Sequence, residues 1–352
     1  MWSAVDRLVA DGATRGLYAG AALVVRGPDA VLHETVTGAA ELRPRQRPAQ
    51  LDTAWDLASL TKVLATAPLA MQLVADLDQP LRELLEDAPA GVTWRHCLQH
   101  TSGLAAWAPL YEIDAVWGTA ETRERVLASA RSLPAEAPPG TRALYSDLGF
   151  LLLTAALERL GGDRIDRLFE RHVRSRGGFD LRWGWPDAAA TEDCPVRGRV
   201  VVGEVHDLNA AVLGGLSGHA GLFGSAREVA AAAAWQLRAF HGADEGLRPE
   251  TVRAYWTAKG PGSHHLGWDG VSPGASSAGP RWPADGVGHT GFTGCSLWVA
   301  PERRLVVAFL ANRVHPLVEG GSFPWAPVAA RYQAFKDLRP ELHTSILAAL
   351  GS

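Results

Sequence analysis

Strand-like runs near both ends of the chain constrain its fold most. Residues 21–26 and 30–36 flank Gly27-Pro28-Asp29 and read as a hairpin. Residues 295–300 and 305–312 flank a turn at Pro301-Glu302-Arg303 and read as a second strand pair. The stretch between is mostly helical in pattern. Leu64, Leu69, Leu73 and Val74 form one apolar stripe, which predicts a helix over 61–76. Short helices are expected over 80–86 and 93–99, and a charged, exposed one over 122–132, stopping before Pro134. A strongly apolar helix over 148–160 is closed by Gly161-Gly162. Ser225-Ala226-Arg227-Glu228 has the capping-box pattern and opens an alanine-rich helix to about Phe240. An amphipathic first helix ends between Gly12 and Gly16, and a last helix is expected over 325–336. A single α/β sheet assembled from both termini, with a mostly helical lobe inserted, satisfies this order.

Chemistry concentrates at three stations. In Ser59-Leu60-Thr61-Lys62 the serine and lysine are three residues apart, so on a helix they share a face. A serine hydroxyl is a poor nucleophile until a neighbouring base takes its proton, and an amine lowered in pKa by desolvation can do so. Tyr145-Ser146-Asp147 offers a phenol that adjacent cations can bring into use. His289-Thr290-Gly291 follows, with Phe292, Thr293 and Gly294 behind it. Gly291 and Gly294 suit a strand edge that must approach a substrate closely.

This ordered set resembles the serine β-lactamase and penicillin-binding protein superfamily, whose stations are Ser-x-x-Lys, Tyr-x-Asn and Lys-Thr-Gly. With tyrosine at the second station it is most similar to the class C-like branch, which includes the β-lactamase-fold (family VIII) esterases. His100-Thr101-Ser102-Gly103-Leu104, Ser217-Gly218-His219-Ala220-Gly221-Leu222-Phe223 and 288–294 look like family segments too, so the likeness runs from about Val5 to Pro316. The resemblance implies an α/β fold with an antiparallel sheet flanked by helices. It implies one catalytic domain over 1–352, with the α/β part at about 1–60 and 225–352 and the helical lobe at about 61–224. It places Ser59 as nucleophile, Lys62 and Tyr145 as proton carriers, and the backbone N–H groups of Ser59 and Phe292 at the oxyanion. Asp147, His289, Thr290 and Gly291 would line the substrate.

Two departures bear on specificity. Asp147 stands where the family has Asn, and a carboxylate only accepts hydrogen bonds. Two roles are open to it: site residue, or cap of the helix beginning at Leu148. His289 stands where the family has a permanent cation, and a free imidazole is mostly neutral at pH 7.

Composition narrows the classes further. With 352 residues, 47% of them hydrophobic, the chain can bury a large core. A net charge of −4 without a basic run argues against nucleic acid. No apolar run approaches the ~18 residues of a membrane span. The first residues carry no basic leader and apolar h-region, which predicts cytoplasmic residence. Cys97, Cys194 and Cys295 are an odd, scattered trio that reads as reduced thiols. His96 and His100 have zinc-like spacing but no third ligand, and no metal or cofactor is expected. His206, Asp207 and His219 read as loop-fixing hydrogen-bonders near the groove. Trp107, Trp117, Trp268 and Trp282, in loop-like regions, are candidates for an acyl pocket. The expected activity is acyl-enzyme hydrolysis of a small ester. The alternatives are a D-amino-acid peptidase or amidase, a weak β-lactamase, an acyltransferase, and an inactive binding module. Nothing in the sequence speaks to oligomeric state.

Overall fold

The two ends of the chain meet in one sheet. The computed structural model describes residues 2–272, 274, 276–316 and 326–351. Its main sheet contains β1 (Gly20–Arg26), β2 (Val31–Glu41), β3 (Arg47–Pro48), β4 (Asp269–Gly270), β5 (Val287–Thr290), β6 (Ser296–Ala300) and β7 (Leu305–Ala311). The spatial order is β3-β2-β1-β7-β6-β5-β4, and every pairing is antiparallel. The N- and C-terminal halves join at β1 and β7, where Ala21 faces Ala311 and Val25 faces Val307.

β1, β6 and β7 are mostly apolar because both faces of the sheet are covered there. Ala21, Leu23 and Val25 pack to one side with Val307, Phe309 and Trp298. That side is roofed by α1 (Ser3–Thr14), through Val5 and Val9, and by the C-terminal helix Ala326–Ala349, through Phe335, Leu338, Leu342 and Ile346. Ala22, Val24, Ala308 and Leu310 point the other way, into the larger core shared with the inserted helices. The core helices there include α2 (Ala67–Leu73), α3 (Ala120–Ser132), α4 (Asp147–Gly161) and α5 (Ala226–Phe240), and the C-terminal helix is α6.

Several elements differ from the sequence expectation, each for a local reason. The expected helix over 61–76 is a 3₁₀ turn (Ala58–Leu60), a π turn (Lys62–Thr66) and then α2, ending at Leu73. Pro68 has no N–H to return to Leu64, so the α register is not continuous through the preceding turn. β2 runs five residues past Val36 because it pairs with β1 along its length and then with β3. α3 is not exposed all round: Val126, Leu127 and Ala130 are buried. The box opening α5 is half formed, since Ser225 Oγ accepts from Glu228 N–H, but Glu228 turns its carboxylate to the Asp180 N–H. α6 continues thirteen residues beyond Lys336, because Leu338, Leu342, Ile346 and Leu347 cover the sheet. Trp325, the first residue of that expected helix, lies outside the described residues. The three cysteines are free and buried. No helix among the described residues is long and apolar enough to cross a membrane.

Candidate active site

A short second sheet sets the turn that carries Ser59. Trp55–Asp56 pairs with Leu222–Gly224, which also pairs with Arg182–Trp183. Past Asp56 the chain folds into the 3₁₀ turn through Ala58, whose φ of 45° lies in the left-handed region. That conformation is costly for a residue with a Cβ and needs outside support. Asp56 provides it: Oδ1 accepts the Ala58 N–H at 2.8 Å and Oδ2 the His206 N–H at 2.6 Å. The Asp56 carbonyl also accepts from Thr293 Oγ1 at 2.7 Å, which ties this turn to the end of β5. Burial raises the Asp56 carboxyl pKa above its usual range, against the pull of those two N–H groups.

Lys62 is wholly buried beneath Ser59. Its Nζ donates to Ser59 Oγ at 2.8 Å and to the His219 carbonyl at 3.1 Å, and it lies 2.7 Å from Asp147 Oδ1. The ammonium thus donates to two oxygens and is ion-paired with a third. Nζ also stands 5.0 Å from the Tyr145 ring centroid and 5.4 Å from that of Phe150. Desolvation lowers the amine, but the charges of Asp147 and then Tyr145 overcome it, and the net direction is up. This reverses the sequence expectation of a depressed lysine. Lys62 is held as a cation, so it cannot itself receive the Ser59 proton.

Tyr145 precedes α4. Burial raises its phenol, the Lys62 cation lowers it, and Asp147 raises it again; the net direction is up. The cap expectation for Asp147 is also corrected. Ser146 is the N-cap, its Oγ accepting the Gly149 N–H, and Asp147 is the first helical residue, with its carboxylate turned to Lys62. Because the Asp147 charge raises both Tyr145 and Lys62, removing it lowers both. Asp147→Asn should therefore shift the acid limb of a kcat/KM–pH profile to lower pH. A limb that stays in place or moves up would show that neither group governs it.

β5 carries the third station. Its edge shares a cleft of about 340 Å³ with Ser59, Tyr145 and Asp147, lined by His289, Thr290, Gly291 and Phe292. A Cβ on Gly291 would sit 2.6 Å from the Leu57 carbonyl, so only glycine lets the strand end approach the Ser59 turn. His289 is buried, with Nδ1 against the Thr290 carbonyl at 2.8 Å. Burial, then the charges of Lys62 and His264, push its imidazole well below the usual value. It is a neutral residue at the cleft and offers no cation.

The sequence reading missed the cations that are there. Arg313, just after β7, and Arg339, on α6, line the same cleft and are only 6% and 5% exposed. Burial lowers both guanidiniums to about 10, which still leaves them charged at neutral pH. Arg313 donates to the Phe292 carbonyl and stacks 4.7 Å from the Tyr332 ring. Arg339 stacks 4.8 Å from the Phe335 ring, and its buried Nε has no hydrogen-bond partner. Neither forms an ion pair with a carboxylate among the described residues. Sequence distance hides them, since only the β7–α6 return brings them to Ser59. His264 and Asp269 also line the cleft, and His100 packs 4.5 Å from the Tyr145 ring with Nδ1 accepting the Ser146 N–H.

His96, His206 and His219 have partners that hold their loops. His96 closes a capping box with Thr93, and His206 lies 3.2 Å from Glu192. His219 bridges Asp207 and Ser217. None of the four tryptophans suggested for an acyl pocket lines the cleft: Trp268 and Trp282 are core, and Trp117 lines a separate hollow.

Comparison with known proteins bears on the family and the fold. The Beta-lactamase family model matches residues 5–325. A protein of Escherichia coli O157:H7, named for a D-alanyl-D-alanine carboxypeptidase activity, is 26% identical, over 88% of this chain and 82% of its own. The N-acetylmuramyl-L-alanine amidase of Bacillus subtilis (strain 168) is also 26% identical, over 91% of this chain and 85% of its own. Among solved structures, EstCE1, a hydrolase with promiscuous acyltransferase activity, superposes with a TM-score of 0.72 at 20% identity, covering 96% of this chain and 97% of its own. With the ordered stations gathered in one cleft at the edge of an antiparallel sheet, the chain belongs to the beta-lactamase family.

Proposed function

We propose that this protein is a serine hydrolase that passes through an acyl-enzyme on Ser59 and acts on a small carboxylic ester. The observation that carries the reading is the Lys62 ammonium, bonded at once to Ser59 Oγ and paired with Asp147, beside Tyr145 in the cleft. In this mechanism Ser59 Oγ bonds to the ester carbonyl carbon while its proton passes to the Tyr145 phenolate. The Lys62 charge favours that phenolate. The carbonyl oxygen takes the negative charge and is met by the backbone N–H groups of Ser59 and Phe292. Collapse breaks the bond to the leaving alkoxide, which takes the proton from Tyr145. Water then repeats the sequence on the acyl-enzyme and frees the acid and Ser59.

Two features favour a neutral ester. His289 carries no charge for a carboxylate, and the Asp147 carboxylate is engaged by Lys62 rather than available to an amide side chain. One observation favours a second reading, a D-amino-acid peptidase or amidase on a substrate bearing a carboxylate. Arg313 and Arg339 put two guanidiniums on the cleft wall, and a buried cation gains most from a bound anion. The relatives named for carboxypeptidase and amidase chemistry point the same way. The same residues serve acyl transfer when an alcohol replaces water.

A substrate panel separates these readings. On p-nitrophenyl acetate and butyrate, kcat/KM should exceed that on nitrocefin and on a D-Ala-D-Ala peptide by roughly 10–100-fold, the worth of the charge-assisted bond that neutral His289 does not make. A preference for nitrocefin or the peptide overturns the ester assignment. In that event Arg339→Met should depress the carboxylate substrates by about tenfold or more and spare the esters.

A further inference from the structure

Behind Lys62 lies a second constellation with the outward form of a Ser-His-Asp triad. His219 Nε2 meets Asp207 Oδ1 at 2.8 Å, and its Nδ1 meets Ser217 Oγ at 2.7 Å. Ser217 is completely buried and takes no part in lining the cleft, so no substrate carbonyl reaches it. The group is built for something other than attack. The His219 carbonyl accepts from the Lys62 ammonium at 3.1 Å. The loop that presents this carbonyl is fastened to the same helices as the reacting groups. Gly218 accepts from Thr66 Oγ1 at 2.6 Å and donates to Thr154 Oγ1 at 2.9 Å, and Leu222 N–H donates to Thr61 Oγ1 at 3.1 Å. A Cβ on Gly218 would meet both threonine hydroxyls within 3 Å.

Asp207 anchors the other end. Its carboxylate caps the short helix Leu208–Val212 through the Ala210 N–H at 2.7 Å. Burial would raise this carboxyl, but the His219 ring and the Ala210 N–H hold it well below the usual range. The preceding residue, His206, is tied through its N–H to Asp56, which fixes the Ser59 turn.

We propose that Asp207 and His219 are positioning residues for Lys62: their contact aims the His219 carbonyl at the ammonium and leaves its other protons to Ser59 and Asp147. The inference rests on Ser59 and Lys62 being the reacting pair. Fluorophosphonate labelling of Ser59 in the wild-type enzyme tests that reading by itself.

The test separates geometry from charge. Asp207→Ser keeps a capping oxygen for the helix but is too short to reach the His219 ring. It should lower kcat on p-nitrophenyl acetate by about tenfold or more, with KM within about threefold, because small misplacements of a reacting group act on the transition state. Asp207→Asn has an amide oxygen that can accept from both the ring and the Ala210 N–H, and it should stay within about threefold of wild type. Three results overturn the proposal: wild-type kcat in Asp207→Ser, a change confined to KM, or an Asp207→Asn as impaired as Asp207→Ser. The last would mean that the carboxylate charge is needed, as in a relay. If Asp207→Ser melts below assay temperature, Ser217→Ala removes the contact on the other ring nitrogen and is judged by the same kcat and KM criteria.

Discussion

Ser59→Ala should lower kcat on the best p-nitrophenyl ester by about 10⁴–10⁶-fold while substrate still binds, because covalent catalysis is lost and the rest of the cleft remains. The effect should be this large because, among the described residues, Ser59 is the serine that lines the cleft, and Ser217, which has a histidine–aspartate partner, is sealed in the core. The variant should also lose fluorophosphonate labelling, read by intact mass. Retention of more than a few per cent of activity, or an adduct on another residue, would remove Ser59 from the mechanism. Lys62, freed of one acceptor, would keep Asp147 and the His219 carbonyl, so the fold should survive the change.

Tyr145→Phe is expected to cost about 10²–10⁴-fold in kcat, the usual worth of a positioned proton carrier. The argument turns on Lys62. A lysine kept charged by Asp147 has no lone pair for the Ser59 proton, and Tyr145 is then the group beside the pair that can carry it. The phenol is raised above 10, so wild-type kcat/KM should climb through the alkaline range as phenolate forms. Phenylalanine keeps the packing against His100 and loses only the hydroxyl. In the variant the alkaline rise should vanish along with the rate. A rate loss with the rise intact would assign the titration to another group.

How much of this was legible beforehand differs between fold and site. The hairpin at 21–36 and the strand pair at 295–312 were visible because β-branched and apolar runs broken by Gly-Pro-Asp or Pro-Glu-Arg leave few alternatives. The apolar helix over Asp147–Gly161 was equally plain. The helix across Ser59 and Lys62 was not read correctly. An apolar stripe marks which residues are buried but does not report that Pro68 and the Asp56 clamp break the turn into 3₁₀ and π segments. At the site, Ser59, Lys62, Tyr145, Asp147 and His289 through Phe292 could all be named from their order in the chain. Arg313, Arg339 and His264 could not, since nothing in local sequence says which surface a guanidinium or imidazole will face.

The sequence by itself determined the terminal strand pairs, the apolar helix over Asp147–Gly161 and which reactive residues the chain carries, because turn chemistry, apolar runs and motif spacing are local properties. The protonation of those residues was decided by tertiary structure. Desolvation alone would lower the Lys62 amine; an aspartate eighty-five positions away, brought to 2.7 Å, turns the net direction upward and favours the cation. Likewise, His289 is neutral because it is buried beside Lys62 and His264, and the cleft's positive charge arrives from α6 and the end of β7. Coulomb interaction and desolvation depend on distance in space and on exposure to water, and neither quantity exists until the chain is folded.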